Sequence, residues 1–486
     1  MSSPTRSGGS GTADLPRTGL ERKIGPLQAT AINMTQMCGI GPFVTIPAMV
    51  ATMGGPQAMF GWIIGAIIAL ADGLVWAELG AALPGAGGTY IYLREAFQYR
   101  TGRLMPFLFA WSAVLFIPLI MSTGIIGLVQ YLGYLIPGVV DDGGVTPLGK
   151  IIGIVIIAVI VLALFRRIGQ ISKLTTVLFV IMLFAVLTVI VAAFSHFSGG
   201  QAFAFTPGAF GSGGAFWGGL GAGLVIAIYD YLGYNTSAYL GGEVRNPGRT
   251  IPRSIIFSIL GIMALYFLLQ VGVLGSIPLD ELKNATSVAS TVLEQAWGTV
   301  TAKVITVFII IAAIGSVFAG LLGGSRVPFE AARDKVFLPV FAKLHPKLNL
   351  PTAGVLTMGV ITAIGSLFTL TDVINAAVTV LVIIQSLAQV AAIWVLRRRQ
   401  PALKRPYRQF LYPIPTIIAL AGWVYIYISA TTLSIILSVA WIVLGVVAFL
   451  IYAAAEKTWP FGPKEIREEF VLAQQQQQPT EEGLEA

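Results

Sequence analysis

Apolar segments long enough to cross a lipid bilayer make up most of this chain. A membrane-spanning helix needs about 20 consecutive, mostly apolar residues. Hydrophobic residues are 56% of the sequence and charged residues 11%, and the polar stretches are too short to build a soluble domain. The sequence therefore predicts an all-α integral membrane protein with about twelve transmembrane helices. The apolar segments lie near residues 27–53, 56–82, 105–136, 148–165, 174–195, 216–242, 254–275, 301–324, 353–370, 373–396, 411–430 and 432–454.

Two of these segments are interrupted near their middle by residues that weaken a helix. The first segment contains Gly39-Ile40-Gly41-Pro42, and the sixth contains Tyr229-Asp230-Tyr231-Leu232-Gly233-Tyr234. Such breaks free backbone N–H and C=O groups that lipid cannot satisfy, so they are tolerated where they face a cavity and bind something polar. Breaks at corresponding positions in two halves of a chain are typical of secondary transporters. The pattern predicts a carrier for a small solute.

The distribution of charge predicts how the chain is oriented in the membrane. With the N-terminus inside, Arg and Lys residues are concentrated in the inner segments, for example at Arg94, Arg249 and Arg397-Arg398-Arg399. The outer segments carry Lys150, Lys283 and Lys303. This asymmetry is typical of multi-pass proteins of the cell membrane and places both termini in the cytoplasm. It also accounts for the net charge of +8, so no nucleic-acid partner is expected.

The chain ends and the reactive side chains carry few functional signals. Residues 1–22 and 456–486 are expected to be cytoplasmic tails, the first of them disordered. Cys38 is the only cysteine, and it is either a small buried hydrophobe or a thiol at the edge of an aqueous cavity. The sequence has no cluster of His, Cys, Asp and Glu with metal-ligand spacing and no evident nucleophile–base pair. We therefore expect no metal, no cofactor and no enzymatic activity.

A set of motifs occurs in order at fixed positions relative to the apolar segments. The motifs are Gly39-Ile40-Gly41-Pro42-Phe43, Trp76-Ala77-Glu78-Leu79-Gly80, Pro84-Gly85-Ala86-Gly87-Gly88-Thr89-Tyr90, Glu243-Val244-Arg245-Asn246-Pro247, and Arg333-Asp334 with Pro339, His345-Pro346 and Pro351. The set resembles that of the amino acid–polyamine–organocation (APC) superfamily of permeases, in its amino acid transporter branch, over about residues 20–455.

The resemblance implies a five-plus-five inverted repeat with discontinuous first and sixth helices. In a transporter domain over 23–455, repeat one would span about 25–196, repeat two about 210–398, and two appended helices about 408–455. It implies secondary active transport of amino acids by alternating access, with the substrate held at the two breaks. A polyamine or cationic amino acid transporter is the alternative, and a substrate-sensing receptor on a transporter scaffold is the alternative from another class. Since the loop 137–150 has no cysteine, no disulfide-linked heavy subunit is expected.

The helix ends at the breaks predict where a substrate binds. N–H groups at the first break are expected to meet a substrate carboxylate, and carbonyl groups at the second break a substrate ammonium. Tyr231 and Tyr234 either shape the pocket for the substrate side chain or pack the helix. The remaining predicted binding residues are Gly39, Ile40, Gly41, Tyr229, Asp230 and Gly233.

Carboxylates at membrane depth are further candidates, because a buried charge needs compensation. Three roles are open for Asp230: binding a cationic group, carrying a coupling proton, or hydrogen bonding to loosened N–H groups. Asp72 is expected to belong to a buried network or to be protonated, with a proton relay as the alternative. Glu78 and Glu243 lie near arginines at the inner ends of their segments, which favours ion pairs of a gate or scaffold.

The coupling ion is predicted from two further positions. Some APC carriers place a lysine in the fifth span, whose ammonium replaces a sodium ion, and the matching position in this chain is Met182. A sodium site also requires adjacent hydroxyl groups on the eighth span, where Ser316 has the neighbours Gly315 and Val317. Exchange or proton coupling is therefore favoured over sodium coupling.

Overall fold

The computed structural model describes residues 22–461 except 86, 142–143, 166–167 and 349, and within the helices it does not describe the side chains of 168–173, 175 and 284. The predicted tails lie almost entirely outside the described residues. The described chain is built from helices, with one short antiparallel hairpin, β1 (Val140–Asp141) and β2 (Gly144–Val145). The first helices are α1 (Pro26–Met37), α2 (Gly41–Met53), α3 (Ala58–Ala82), α4 (Thr89–Thr101), α5 (Leu104–Leu135), α6 (Pro147–Leu164), α7 (Ile168–Ser195) and α8 (Gly199–Ala202).

The second half of the chain continues the helical pattern. A 3₁₀ turn (Pro339–Ala342) precedes α16, and a π-helical segment (Val382–Leu387) joins α17 to α18. The helices are α9 (Ala215–Tyr231), α10 (Thr236–Tyr239), α11 (Pro247–Ser276), α12 (Leu279–Asn284), α13 (Val288–Trp297), α14 (Thr299–Gly324), α15 (Arg326–Arg333), α16 (Thr352–Gly365), α17 (Leu370–Leu381), α18 (Ala388–Arg399), α19 (Ile414–Ser429) and α20 (Thr432–Ala455).

The helices are those of a multi-pass membrane protein. Within the described residues, eight helices are long and apolar enough to cross a membrane, or nine if the bent pair α1 and α2 forms one span. The helices α9, α16 and α19 are also apolar but shorter. A helix thus lies in each of the predicted apolar segments, which confirms the all-α fold. The exact number of crossings and the inverted repeat remain predictions.

Both predicted helix breaks are present. α1 ends at Met37, Cys38 to Ile40 are not helical, and α2 runs at 44° to α1. Pro42 lies in the first turn of α2, where its fixed φ suits a helix start and its missing N–H costs nothing. α9 ends at Tyr231 and is followed by Gly233 with φ of +118°, a conformation that favours glycine. Local backbone preferences therefore produce both breaks.

The other helices surround the two breaks. α1 packs against α7, α10, α11 and α14, while α9 packs against α2, α3 and α19. α5 lies along α14, α16 and α17. Because neighbouring helices enclose both breaks, the backbone groups freed there meet protein and cavity rather than lipid.

Candidate functional site

The two breaks line one cavity. It is bounded by α1, α2, α5, α9 and α14, and its empty volume, including the solvent space to which it opens, is about 330 Å³. Besides the predicted residues, Gln36, Met121 and Leu232 contribute to its wall. The predicted residues that line the cavity are Gly39, Ile40, Gly41, Tyr229, Asp230 and Ser316.

Asp230 lies against the N-terminus of α2. Its side chain is buried, and the Thr45 hydroxyl donates a hydrogen bond to Oδ2. Its Oδ1 atom has no hydrogen-bond partner in the structure and fills the space that a Cβ at Gly41 would need. The positive end of the α2 dipole faces this carboxyl group. The arrangement leaves one carboxyl oxygen available to a ligand or a proton.

The first break also packs closely against α14. The Ser316 hydroxyl donates a hydrogen bond to the carbonyl oxygen of Gln36 at 2.9 Å. A Cβ at Gly39 would lie 2.5 Å from the Cβ of Ser316, a distance that no packed pair of carbon atoms adopts. Glycine at position 39 therefore allows α14 to approach the break, and Ser316 satisfies one of the carbonyls that the break frees.

Sequence analysis did not identify Tyr266 on α11 as part of the site. Its hydroxyl lies 2.7 Å from the carbonyl oxygen of Met37 and 3.1 Å from that of Asp230. Tyr229 was predicted, but its partner was not: the Tyr229 hydroxyl is hydrogen bonded to Thr123 on α5. A tyrosine in an otherwise apolar span is the one signal that sequence offered for Tyr266, since a buried phenol needs a hydrogen-bond partner.

A second cavity, whose empty volume of about 380 Å³ includes the solvent space to which it opens, adjoins the first. The two share wall residues, among them Gln36, Met121 and Leu232. Gly233, which does not line the first cavity, lines this one together with Tyr239 and Gln385. The Tyr239 hydroxyl donates a hydrogen bond to Gln385 Oε1 at 2.6 Å. This cavity is thus lined by amide and hydroxyl groups as well as by apolar side chains.

Tyr231 and Tyr234 do not line either cavity. The Tyr231 ring packs edge-on against Trp62 of α3, and its hydroxyl donates to the Trp62 carbonyl oxygen at 3.3 Å. The Tyr234 hydroxyl donates to Oδ2 of Asp72 at 2.6 Å. Both side chains therefore contact residues of α3. Their contacts in this structure correspond to the helix-packing alternative, and they place Asp72 in a buried hydrogen-bond network.

Glu78 and Glu243 are buried, each forms an ion pair with arginine, and neither lines a cavity. Arg397 donates hydrogen bonds to both carboxyl oxygens of Glu78, at 2.8 and 2.5 Å. The Nε atom of Arg405 lies 3.4 Å from Oε1 of Glu78. Arg326 donates to Glu243 at 2.9 Å. Partial burial lowers the pKa of Arg405, an effect that the Glu78 carboxylate opposes. These contacts join α3 to α18 and the segment after it, and α15 to the segment between α10 and α11.

Comparison with known proteins identifies the family. Residues 24–462 match the family described as "Amino acid permease". The chain belongs to this family. This confirms the predicted resemblance to the APC superfamily and places the permease among multi-pass membrane transporters rather than enzymes.

Individual relatives of the permease cover most of its length. It is 30% identical over 418 residues to the serine/threonine exchanger SteT of Bacillus subtilis, across 83% of this chain and 90% of the relative. It is 24% identical over 448 residues to the branched-chain amino acid permease BcaP of the same organism, across 89% of this chain and 93% of the relative. The aspartate-proton symporter of Bacillus subtilis is 26% identical over 325 residues, across 63% of this chain and 59% of the symporter.

Proposed function

We propose that the permease is a secondary active amino acid transporter that works by alternating access and holds its substrate at the two breaks. The observation that carries the proposal is the cavity between the N-terminus of α2 and the C-terminus of α9. One helix end presents N–H groups and the other presents carbonyls, which suit the carboxylate and the ammonium of an α-amino acid. The names of the relatives, which refer to amino acid exchange or uptake, support this substrate class.

A neutral or broad range of amino acids is the substrate class that we favour. Asp230 is the one charged side chain among the described residues that line the two cavities. A single carboxylate can pair with one amine, so the second charge of a dication would be buried without a partner. The alternative, a cationic amino acid or polyamine carrier, is supported by the unpartnered Oδ1 atom of Asp230.

Exchange or proton coupling fits the site better than sodium coupling. A sodium site would need adjacent hydroxyl groups on α14, but Ser316 is flanked there by Gly315 and Val317. The cavity-lining carboxyl of Asp230 offers a group that can take up a proton.

In the proposed mechanism, the repeats 25–196 and 210–398 move relative to each other, so that the site opens in turn to each side of the membrane. With both termini in the cytoplasm, the Glu243–Arg326 pair lies on the cytoplasmic side, where it serves as a gate or as a scaffold.

The test is uptake into proteoliposomes with a matched pair of glycine variants. Labelled L-serine, L-threonine, L-leucine, L-aspartate, L-arginine and putrescine are supplied with and without ion gradients. Gly41→Ala places a methyl group on the Asp230 carboxyl and should abolish uptake of every substrate. Gly218→Ala adds the same methyl group on α9, where nothing lies within 4 Å, and should transport normally. Unchanged uptake by Gly41→Ala would rule out a substrate at the breaks.

A further inference from the structure

The carboxyl group of Asp72 connects three elements outside the substrate cavity. Asp72 lies within α3, and its exposed fraction is 1%. Its Oδ2 atom accepts a hydrogen bond from the Tyr234 hydroxyl at 2.6 Å, and its Oδ1 atom accepts one from the Trp423 indole at 3.1 Å. Tyr234 belongs to the non-helical segment between α9 and α10, and Trp423 belongs to α19. One carboxyl therefore ties α3 both to the second break and to a helix that follows the proposed repeats.

The groups that face Asp72 from these elements are neutral. The segment after α9 contributes Tyr234 and, further away, the Tyr239 phenol. α19 contributes the Trp423 indole, and α11 presents Ile255 and Ile259 to Gly73, the residue next to Asp72. Among the described residues, no Lys, Arg or His makes a hydrogen bond or ion pair with Asp72.

The remaining neighbours of α3 meet it at other points. α9 contacts α3 through Ala227 and Tyr231, which lie at Gly65. α2 contacts α3 through Met49 and Met53, which lie at Gly61. α18 reaches α3 through Arg397, whose partner is Glu78. On α3 itself, the neutral indole of Trp76, one turn beyond Asp72, also faces this carboxyl group, although its N–H does not reach hydrogen-bond geometry. Arg397, the cation that reaches α3 from α18, is thus paired with Glu78, and no cation among the described residues pairs with Asp72.

Two opposing effects act on this carboxyl group. Burial without a cation disfavours the ionised form at membrane depth. Hydrogen bonds donated by a phenol and an indole favour the ionised form. The group can therefore exist with and without a proton, and the strength of its bond to Tyr234 differs between the two states, because a charged acceptor makes the stronger hydrogen bond.

We propose that Asp72 is a proton-binding site, separate from the substrate cavity, whose charge state controls how firmly the break after α9 is held to α3. When Asp72 is ionised, a charge-assisted bond holds Tyr234 and with it the segment 232–235. When Asp72 takes up a proton, that bond weakens and the segment is released to rearrange, as alternating access requires. Proton binding and rearrangement of the second break are thereby coupled. This inference rests on the proposed transport function.

The test separates exchange from proton-driven uptake in proteoliposomes. Wild-type exchange of labelled against unlabelled L-serine or L-leucine, with equal pH on both sides, should vary about tenfold between about pH 5.5 and pH 7.5, as expected for one controlling carboxyl group. An inward proton gradient should drive accumulation. Asp72→Asn should keep exchange, with less than about a twofold change across the same range, and should lose accumulation driven by the gradient.

Two further variants keep the inference testable if Asp72→Asn does not fold. Trp423→Phe removes a donor that stabilises the ionised carboxylate but leaves the bond to the break, so it should move the midpoint of the pH profile upward. Tyr234→Phe removes the bond that links Asp72 to the break, so it should flatten the pH profile as Asp72→Asn does. A role in packing alone would lower the yield without moving the midpoint. The proposal is overturned if Asp72→Asn or Tyr234→Phe keeps the wild-type pH profile, if Trp423→Phe leaves the midpoint unchanged, or if wild-type exchange is independent of pH. Failure of the proposed function is distinct, because the wild type would then neither exchange nor accumulate any amino acid.

Discussion

The hydroxyl group of Tyr266 lies 2.7 Å from the carbonyl oxygen of Met37, the last residue of α1. The same hydroxyl lies 3.1 Å from the carbonyl oxygen of Asp230 in α9. Since helix breaks leave carbonyls without intrahelical partners, one side chain of α11 serves freed carbonyls of both discontinuous helices. Tyr266 therefore fixes the two breaks relative to each other.

Replacing Tyr266 by Phe should loosen both breaks. The change leaves buried carbonyls without their donor, at a cost of about 1–3 kcal/mol, and should raise the substrate concentration for half-maximal uptake while lowering the melting temperature. Tyr92→Phe is the matched control, because the Tyr92 ring is equally buried and packs on Trp76 away from the breaks. Equal effects of the two changes would show that Tyr266 has no special role.

Replacing Glu243 by Gln should be strongly destabilising. Arg326, which is fully buried, would keep its charge without a carboxylate, and breaking such a pair costs about 3–5 kcal/mol. Thermal unfolding in detergent measures the loss. In the control, Glu456→Gln removes a partner of Arg103 that is 3.8 Å away and 39% exposed, and should cost less than about 1 kcal/mol.

Replacing Asp230 by Asn distinguishes the two substrate classes. If the permease takes cationic amino acids or polyamines, the change leaves their amine without its partner and should abolish their uptake, since losing a buried partner costs about 3–5 kcal/mol. If it takes neutral amino acids, selectivity should persist and the pH dependence or the folding yield should change. We expect the second result. High-affinity putrescine uptake by the wild type, lost in the variant, would show that expectation to be wrong.

Cys38 should resist thiol reagents in the native permease. Its side chain is fully buried, and it does not line the cavity, although Met37 and Gly39 on either side do. The structure therefore favours the small buried hydrophobe over the thiol at a cavity edge. N-ethylmaleimide should modify Cys38 only after unfolding. Rapid inhibition of transport, slowed by saturating substrate and absent in Cys38→Ser, would support the cavity-edge interpretation.

The predicted orientation can be tested with single cysteines in a Cys38→Ser background. Lys283→Cys, in α12, should react with an impermeant maleimide added to intact cells. Arg249→Cys and Gln400→Cys should react only after permeabilisation, because the excess of Arg and Lys places their loops inside. Labelling of position 249 in intact cells would reverse the orientation and place the Glu243–Arg326 pair on the outer side.

Sequence alone determined the features that depend on local chemistry. Hydropathy located the apolar helices, because each must bury its backbone polar groups within one lipid-spanning segment. Glycine and proline located both breaks, because they act on the backbone of their own segment. Most of the residues predicted at the breaks line the cavity, including Gly39, Gly41 and Asp230.

Tertiary structure alone decided which side chains meet across the breaks. Tyr266 and Met37 are 229 residues apart, and no local pattern pairs them. Nor did sequence reveal that the Tyr234 hydroxyl donates a hydrogen bond to Asp72, whereas Tyr229 lines the cavity. A helix that is apolar on all sides carries no periodic signal for the face that packs, faces lipid or lines a cavity. Only the packing of distant helices selects that face, and with it the partner of each buried polar group.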